Sequence, residues 1–170
     1  MALGIVQDGQ VLYLKGYGVA DPTGRAVTPQ TPFMLGSVSK SFTALATMQL
    51  VEAGAIDLDG SVQTYLPWFQ LADPQAAARI TVRQLLDHTS GLSPYAGEVQ
   101  FIAPAGDTIT ASIQALSRTK LASPPGQRHA YSNLNYLILG GVTEAVSGVP
   151  YGDYIHQHIF QPLGMANSYT

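Results

Sequence analysis

The sequence predicts an α+β fold, one β-hairpin followed by a mainly helical chain, and three observations carry that expectation. Two apolar segments, Leu3 to Gln7 and Val11 to Tyr17, flank Asp8-Gly9, a dipeptide suited to the two-residue hairpin turn. The stretch from Ser39 to Gly54 is rich in Ala, Leu and Met, carries only Lys40 and Glu52 as charges, and stops at a Gly, so it reads as a helix buried on most sides. Beyond it, short helical patterns follow one another between Pro- and Gly-containing turns, and no further strand pattern occurs.

Composition narrows the function classes. A chain of 170 residues reads as a single domain large enough to bury a core. Charged residues make up 11% against an ordinary value of about 25%, while 46% are hydrophobic, so much of the surface is neutral or is covered by something else. The net charge of -3 and the lack of a basic run argue against a nucleic-acid partner. With no cysteine there is no disulfide and no thiolate nucleophile or ligand. His88, His129, His156 and His158 lack metal-ligand spacing; His156 and His158, two residues apart, point to different sides of a helix and suit solvated or capping roles. Neither a metal nor an organic cofactor is implied. No apolar run reaches membrane-spanning length, and Met1 leads almost directly into a strand without the basic and apolar regions of a signal peptide. Localisation stays unassigned.

Taken in order, the hairpin leads through the turn Asp21-Pro22-Thr23-Gly24 and the Pro-Thr-rich link Thr28 to Pro32 into the long helix. After Gly54, Ile56 to Gly60 forms a turn and Ser61 to Leu66 a short helical piece ended by Pro67. Asp57 and Asp59 lack the other ligands of a calcium loop and read as turn and cap. Thr81 and Gln84 have capping-box spacing, opening a helix from Val82 to His88 that ends at Thr89 to Leu92. Ser90 lacks the Gly two residues before it that a nucleophile elbow needs, so it reads as helix termination. Ser93 to Gly106, with Pro94, Gly97 and Pro104, is loop-like. Thr108 to Arg118 follows as a helix with Ile109, Ile113 and Leu116 on one face. Leu134 to Gly148 is a second largely buried helix, and Tyr151 to Phe160 a last one.

The chemistry concentrates at Ser37-Val38-Ser39-Lys40. On a helix start, Lys40 lies almost one turn beyond Ser37 on the same face, pairing a nucleophile with a candidate base. The partial positive charge of the helix N-terminus favours alkoxide character on Ser37. Ser-x-x-Lys arises by chance about once in a chain of this size. A second copy, Ser117 to Lys120, sits near a helix C-terminus, where the dipole opposes an alkoxide.

Four stretches in order turn this pattern into a resemblance: Ser37-Val38-Ser39-Lys40, Leu85 to Leu92, Tyr131-Ser132-Asn133, and Pro162-Leu163-Gly164-Met165 after a Tyr-rich helix. Together they resemble the beta-lactamase-related serine hydrolases, the group of class C beta-lactamases, D-alanyl-D-alanine carboxypeptidases, D-aminopeptidases and related esterases. The resemblance implies a beta-lactamase/transpeptidase-like fold and a small-molecule acyl substrate: an ester, amide or lactam. It implies that Ser37 is acylated, that Lys40 is its partner, that Tyr131 is a second candidate base, and that Asn133 contacts the substrate amide. A tyrosine has an ordinary pKa near ~10, so Tyr131 needs a cation such as Lys40 to act as a base, and the pair leaves open which takes the proton. Without that role, Tyr131 would pack at a strand end and Asn133 would cap the following helix.

The family also carries a Lys or His followed by Thr or Ser and Gly on a late strand, and usually a helix before the first strand. Neither has a counterpart here. The expectation is therefore one partial domain over residues 1–170, with hairpin strands in 1–20, a helical region in 35–170 and an incomplete antiparallel sheet. Its open edge invites self-association. A catalytically silent interaction module of the same fold is the alternative; an α/β-hydrolase is disfavoured because Gly-x-Ser-x-Gly and alternating strand-helix units are lacking.

Overall fold

Asp8 and Gly9 both adopt positive φ, 50° and 74°, the geometry of the tight turn expected of them, and they join β1 (Ala2–Gln7) to β2 (Gln10–Gly16) as an antiparallel pair. The computed structural model describes residues 1–93 and 108–170. Apart from Ser93, the expected loop Ser93 to Gly106 lies outside the described residues. Both strands are solvent-exposed along almost their whole length, although Leu3, Ile5, Val6, Val11, Leu12 and Leu14 are apolar.

The helical part comprises α1 (Ser39–Glu52), α2 (Val62–Tyr65), α3 (Pro74–Ala77), α4 (Val82–Leu86), α5 (Ile109–Gln114), α6 (Asn133–Ser147) and α7 (Tyr151–Ile155). Short polar caps fix the small helices. Ser61 accepts from the Gln63 N–H, Asp73 from Gln75 and Ala76, and Thr81 from Gln84, whose side chain accepts in turn from the Thr81 N–H to complete the capping box. The α4 helix stops at Leu86, two residues earlier than the sequence suggests, because His88 turns into the left-handed region at φ 60°. Asp57 accepts from the Asp59 N–H, and the Asp59 carboxylate meets Arg83 through two bonds of 2.7 and 2.8 Å on the surface.

The core runs through Phe69, Ile80, Leu85, Leu92, Leu116, Leu134, Ile138 and Ile155, all essentially inaccessible to solvent. At its centre α1 packs on α6, with α7 beside them. Thr43 on α1 meets Tyr151 on α7 through a 2.7 Å hydroxyl contact. The expectation of α1 buried on most sides is corrected here: Thr43, Ala46, Thr47 and Leu50 are buried, whereas Leu45 and Met48 stay 44% and 42% exposed. Its partners α6 and α7 cover one face, and the apolar character of the other face is not matched by a neighbour among the described residues.

Other boundaries follow expectation with local adjustments. The α5 segment tightens into a 3₁₀ turn over Ala115–Arg118, with Ile113 and Leu116 buried on one face. α6 ends at Gly148, φ 74°. The last helix is α only to Ile155 and continues as a wider π turn over His156–Phe160. There the His158 side chain is exposed, as expected, with its ring stacked on Tyr154 at a centroid distance of 4.3 Å.

Candidate active site

Ser37 lies in the 3₁₀ turn Gly36–Val38 that feeds directly into α1, and Lys40 is in the first turn of that helix. Gly36 takes φ 55°, a left-handed conformation costly for a residue with a side chain, and this bend turns the incoming chain so that Ser37 meets the helix start. Tyr131 and Ser132 precede α6, and Asn133 is its first residue. The packing of α1 on α6 brings these segments together.

The four residues singled out from the sequence form one cluster. The Ser37 and Tyr131 hydroxyls are 2.7 Å apart, and the Lys40 ammonium donates to Ser37 Oγ at 3.3 Å and to Asn133 Oδ1 at 2.6 Å. Tyr131 donates to Asn133 Oδ1 at 3.1 Å. With the phenol proton directed to Asn133, the phenol oxygen is free to accept from Ser37. Asn133 therefore holds the cation and the phenol in fixed relation; the helix cap considered for it falls instead to Ser132, and no strand end forms at Tyr131.

The Lys40 ammonium, 4.9 Å from the Tyr131 ring centroid, lowers the phenol pKa below the ordinary tyrosine value, and the Ser37 hydrogen bond adds to the effect. The same ammonium is 5.7 Å from the Tyr136 ring centroid, so it lies between two aromatic rings. Burial and the neighbouring Tyr131 raise the Tyr136 pKa, so this phenol stays protonated and donates to the Leu86 carbonyl at 3.1 Å.

Two participants, His88 and Tyr136, were not assigned roles from sequence. His88 is in ring contact with both Tyr131 and Tyr136, at centroid distances of 4.7 and 5.3 Å. A signal existed for Tyr136, three residues after Asn133 and hence on the same helix face. His88 lies within the Leu85 to Leu92 stretch of the resemblance, but its partners arrive from a segment more than forty residues away.

The remaining serines are placed elsewhere. Ser90 is fully buried, accepting from the Leu92 N–H and donating to Asn135 Oδ1 at 2.6 Å. Ser117 lies in the 3₁₀ turn at the end of the α5 segment, on the surface. Among the described residues no group of three or more His, Asp or Glu side chains gathers as a metal site, and no helix is long and apolar enough to cross a membrane.

Comparison with known proteins gives a consistent picture. The family described as Beta-lactamase matches residues 1–170. Penicillin-binding protein 4 of Amycolatopsis lactamdurans is 36% identical over 170 residues, covering 99% of this chain and 44% of that protein. The octameric penicillin-binding protein homologue from Pyrococcus abyssi superposes with a TM-score of 0.83 at 37% identity, over 97% of this chain and 39% of that one. EstCE1, described as a hydrolase with promiscuous acyltransferase activity, gives 0.80 at 32% identity, over 96% and 46%. The fold is thus the α+β beta-lactamase/transpeptidase type, and the chain spans less than half the length of each of these three relatives.

Proposed function

This chain belongs to the Beta-lactamase family, and on that premise we propose that it is the part of a serine hydrolase that carries the nucleophile, acting through a covalent acyl-enzyme on a small ester, amide or beta-lactam. The observation that carries the reading is the placing of Ser37 Oγ within hydrogen-bond reach of both the Tyr131 phenol and the Lys40 ammonium. Hydrolase relatives of the same fold support the reaction class. The residue roles and the substrate class are this proposal's own.

In the forward step the Ser37 hydroxyl gives its proton to the Tyr131 phenolate as Oγ bonds to the substrate carbonyl carbon. The carbonyl π electrons move onto oxygen, where the Ser37 backbone N–H at the helix start is a candidate donor. Collapse breaks the bond to the leaving group, which takes the proton back from Tyr131. Water then gives a proton to Tyr131 and attacks the acyl carbon, and Ser37 departs to recover that proton. Lys40 favours the ionised form of Tyr131, so that it is available to accept the proton. Tyr131 is favoured over Lys40 as the base because it is the nearer to Ser37, 2.7 against 3.3 Å. Asn133, which anchors the pair, has amide protons to offer a substrate carbonyl.

Labelling with a fluorophosphonate or penicillin probe, followed by peptide mapping, tests the assignment. In a chain extended to the length of its relatives, modification at Ser37 is expected, whereas the 170 residues alone should react poorly; modification at Ser117 with Ser37 untouched would overturn the assignment.

One feature favours a second reading, an interaction role for the hairpin. Its apolar strands are exposed and, among the described residues, no third strand pairs with either edge, which favours self-association. Light scattering measures this directly: a concentration-independent monomer mass would remove it.

A further inference from the structure

His88 grips the segment ahead of α6 at two points. Its backbone carbonyl accepts from the Ala130 N–H at 2.8 Å, and two residues on, its Nδ1 accepts from the Ser132 N–H at 3.2 Å. The ring thus extends a strand-like ladder by one rung. The second donor to Nδ1 is Asn135 Nδ2, at 2.9 Å. Its orientation is fixed by a buried relay in which the Leu92 N–H donates to Ser90 Oγ and Ser90 donates to Asn135 Oδ1, leaving the amide nitrogen to face His88. Two donors therefore converge on Nδ1, which can only be an unprotonated acceptor.

We propose that His88 is a positioning residue, held as the uncharged Nε2–H tautomer, whose Nδ1 lone pair fixes Ser132 and so sets the alignment of Tyr131 and Asn133 against Ser37 and Lys40. This rests on the serine-acylation reading. The charged groups around the ring act mostly in the same sense. Lys40 and His129 disfavour a further positive charge, with His129 at a centroid distance of 5.9 Å. Tyr131 and Tyr136 are in tilted ring contact with His88, and among the described residues Asp87 acts in the opposite sense, favouring protonation. Burial is the largest contribution to the preference for the neutral ring. The left-handed backbone at His88, φ 60°, aims the ring between the two tyrosines.

The test joins two measurements on the full chain. Nitrogen-15 NMR of the histidine rings reads the tautomer of His88, and labelling kinetics at Ser37 read the alignment. An Nε2–H ring that stays neutral below the pH at which a free histidine protonates is expected. His88→Asn keeps an acceptor at the Nδ1 position and tolerates the left-handed backbone, so it should acylate within a few-fold of the parent rate. His88→Ala, and His88→Gln with its acceptor displaced outward, should lose about 10²-fold. His88→Asn and the tautomer measurement decide the matter whether or not His88→Ala folds. An Nδ1–H tautomer in a chain that acylates normally, or His88→Asn as slow as His88→Gln, would overturn the positioning role alone. An Nε2–H ring in a chain never modified at Ser37 would overturn the serine reading and the positioning role with it.

Discussion

Lys40 Nζ and Asn133 Oδ1 lie 2.6 Å apart, which makes this contact the shortest link between the first turns of α1 and α6. It anchors a cation whose other neighbours are the Ser37 hydroxyl and the faces of Tyr131 and Tyr136. A charge-assisted bond of this length fixes the ammonium where it acts on the phenol and keeps it from swinging into solvent.

Removing that charge is the most direct challenge to the site. Lys40→Ala is expected to abolish acylation of Ser37 near neutral pH, leaving only a residual rate at higher pH, and Tyr131→Phe to slow it by about 10²- to 10⁴-fold, the ordinary scale of general acid-base catalysis. Stopped-flow or probe-labelling rates on variants whose circular dichroism matches the parent make the comparison. A Lys40→Ala chain acylating at the parent rate would take Lys40 out of the mechanism.

The pH dependence follows from the direction of the Tyr131 shift. Its pKa is lowered by Lys40 and Ser37, and in the proposed reaction the deprotonated form is the base, so the acylation rate should rise with pH along a limb centred below the ordinary tyrosine value. Lys40→Met removes the main cause, and the limb should move to higher pH. An unmoved limb in the residual activity would mean that another group titrates.

His88 predicts a stability effect at the acid side. Burial, His129 and Lys40 lower its pKa in the folded chain, so between that lowered value and the unfolded value near ~6.5 the unfolded chain binds more protons. Stability contributed by the neutral ring is therefore complete above the unfolded value and is lost as pH falls through that window. Urea denaturation across this range should show a steeper decline for the parent than for His88→Asn; parallel curves would contradict the assignment.

Gly91 tests the frame that carries His88. Its φ is 85°, and an added Cβ would lie 2.1 Å from the Ser123 carbonyl oxygen, a backbone atom unable to move aside alone. Gly91→Ala should cost at least about 1–3 kcal/mol from the left-handed backbone, with the clash in addition. A melting temperature unchanged from the parent would show that this turn relaxes.

Local signals account for what the sequence made legible. Asp8-Gly9 specified the hairpin, Thr81 with Gln84 the start of α4, and Gly148 the end of α6, because each acts on its own few residues. Ser37 and Lys40 were readable from helix spacing, and Tyr131 and Asn133 from the resemblance. The buried face of α1 was not, since Leu45 and Met48 are as apolar as Ala46 and Leu50, and only the placing of α6 and α7 separates them. His88 was hidden for the same reason: its donors arrive from Ser132 and Asn135, which no local pattern connects to it.

The 94-residue separation of Ser37 from Tyr131 has a consequence for the order in which the chain acquires its chemistry. Helix α1 can form from its own sequence, but the proposed nucleophile lacks its proposed proton acceptor until α6 has docked, a late and non-local event in folding. During refolding, recovery of far-ultraviolet helical signal should therefore precede recovery of probe reactivity at Ser37. The covalent label then serves as a clock for tertiary assembly, since it marks only those molecules in which the two helix starts have met.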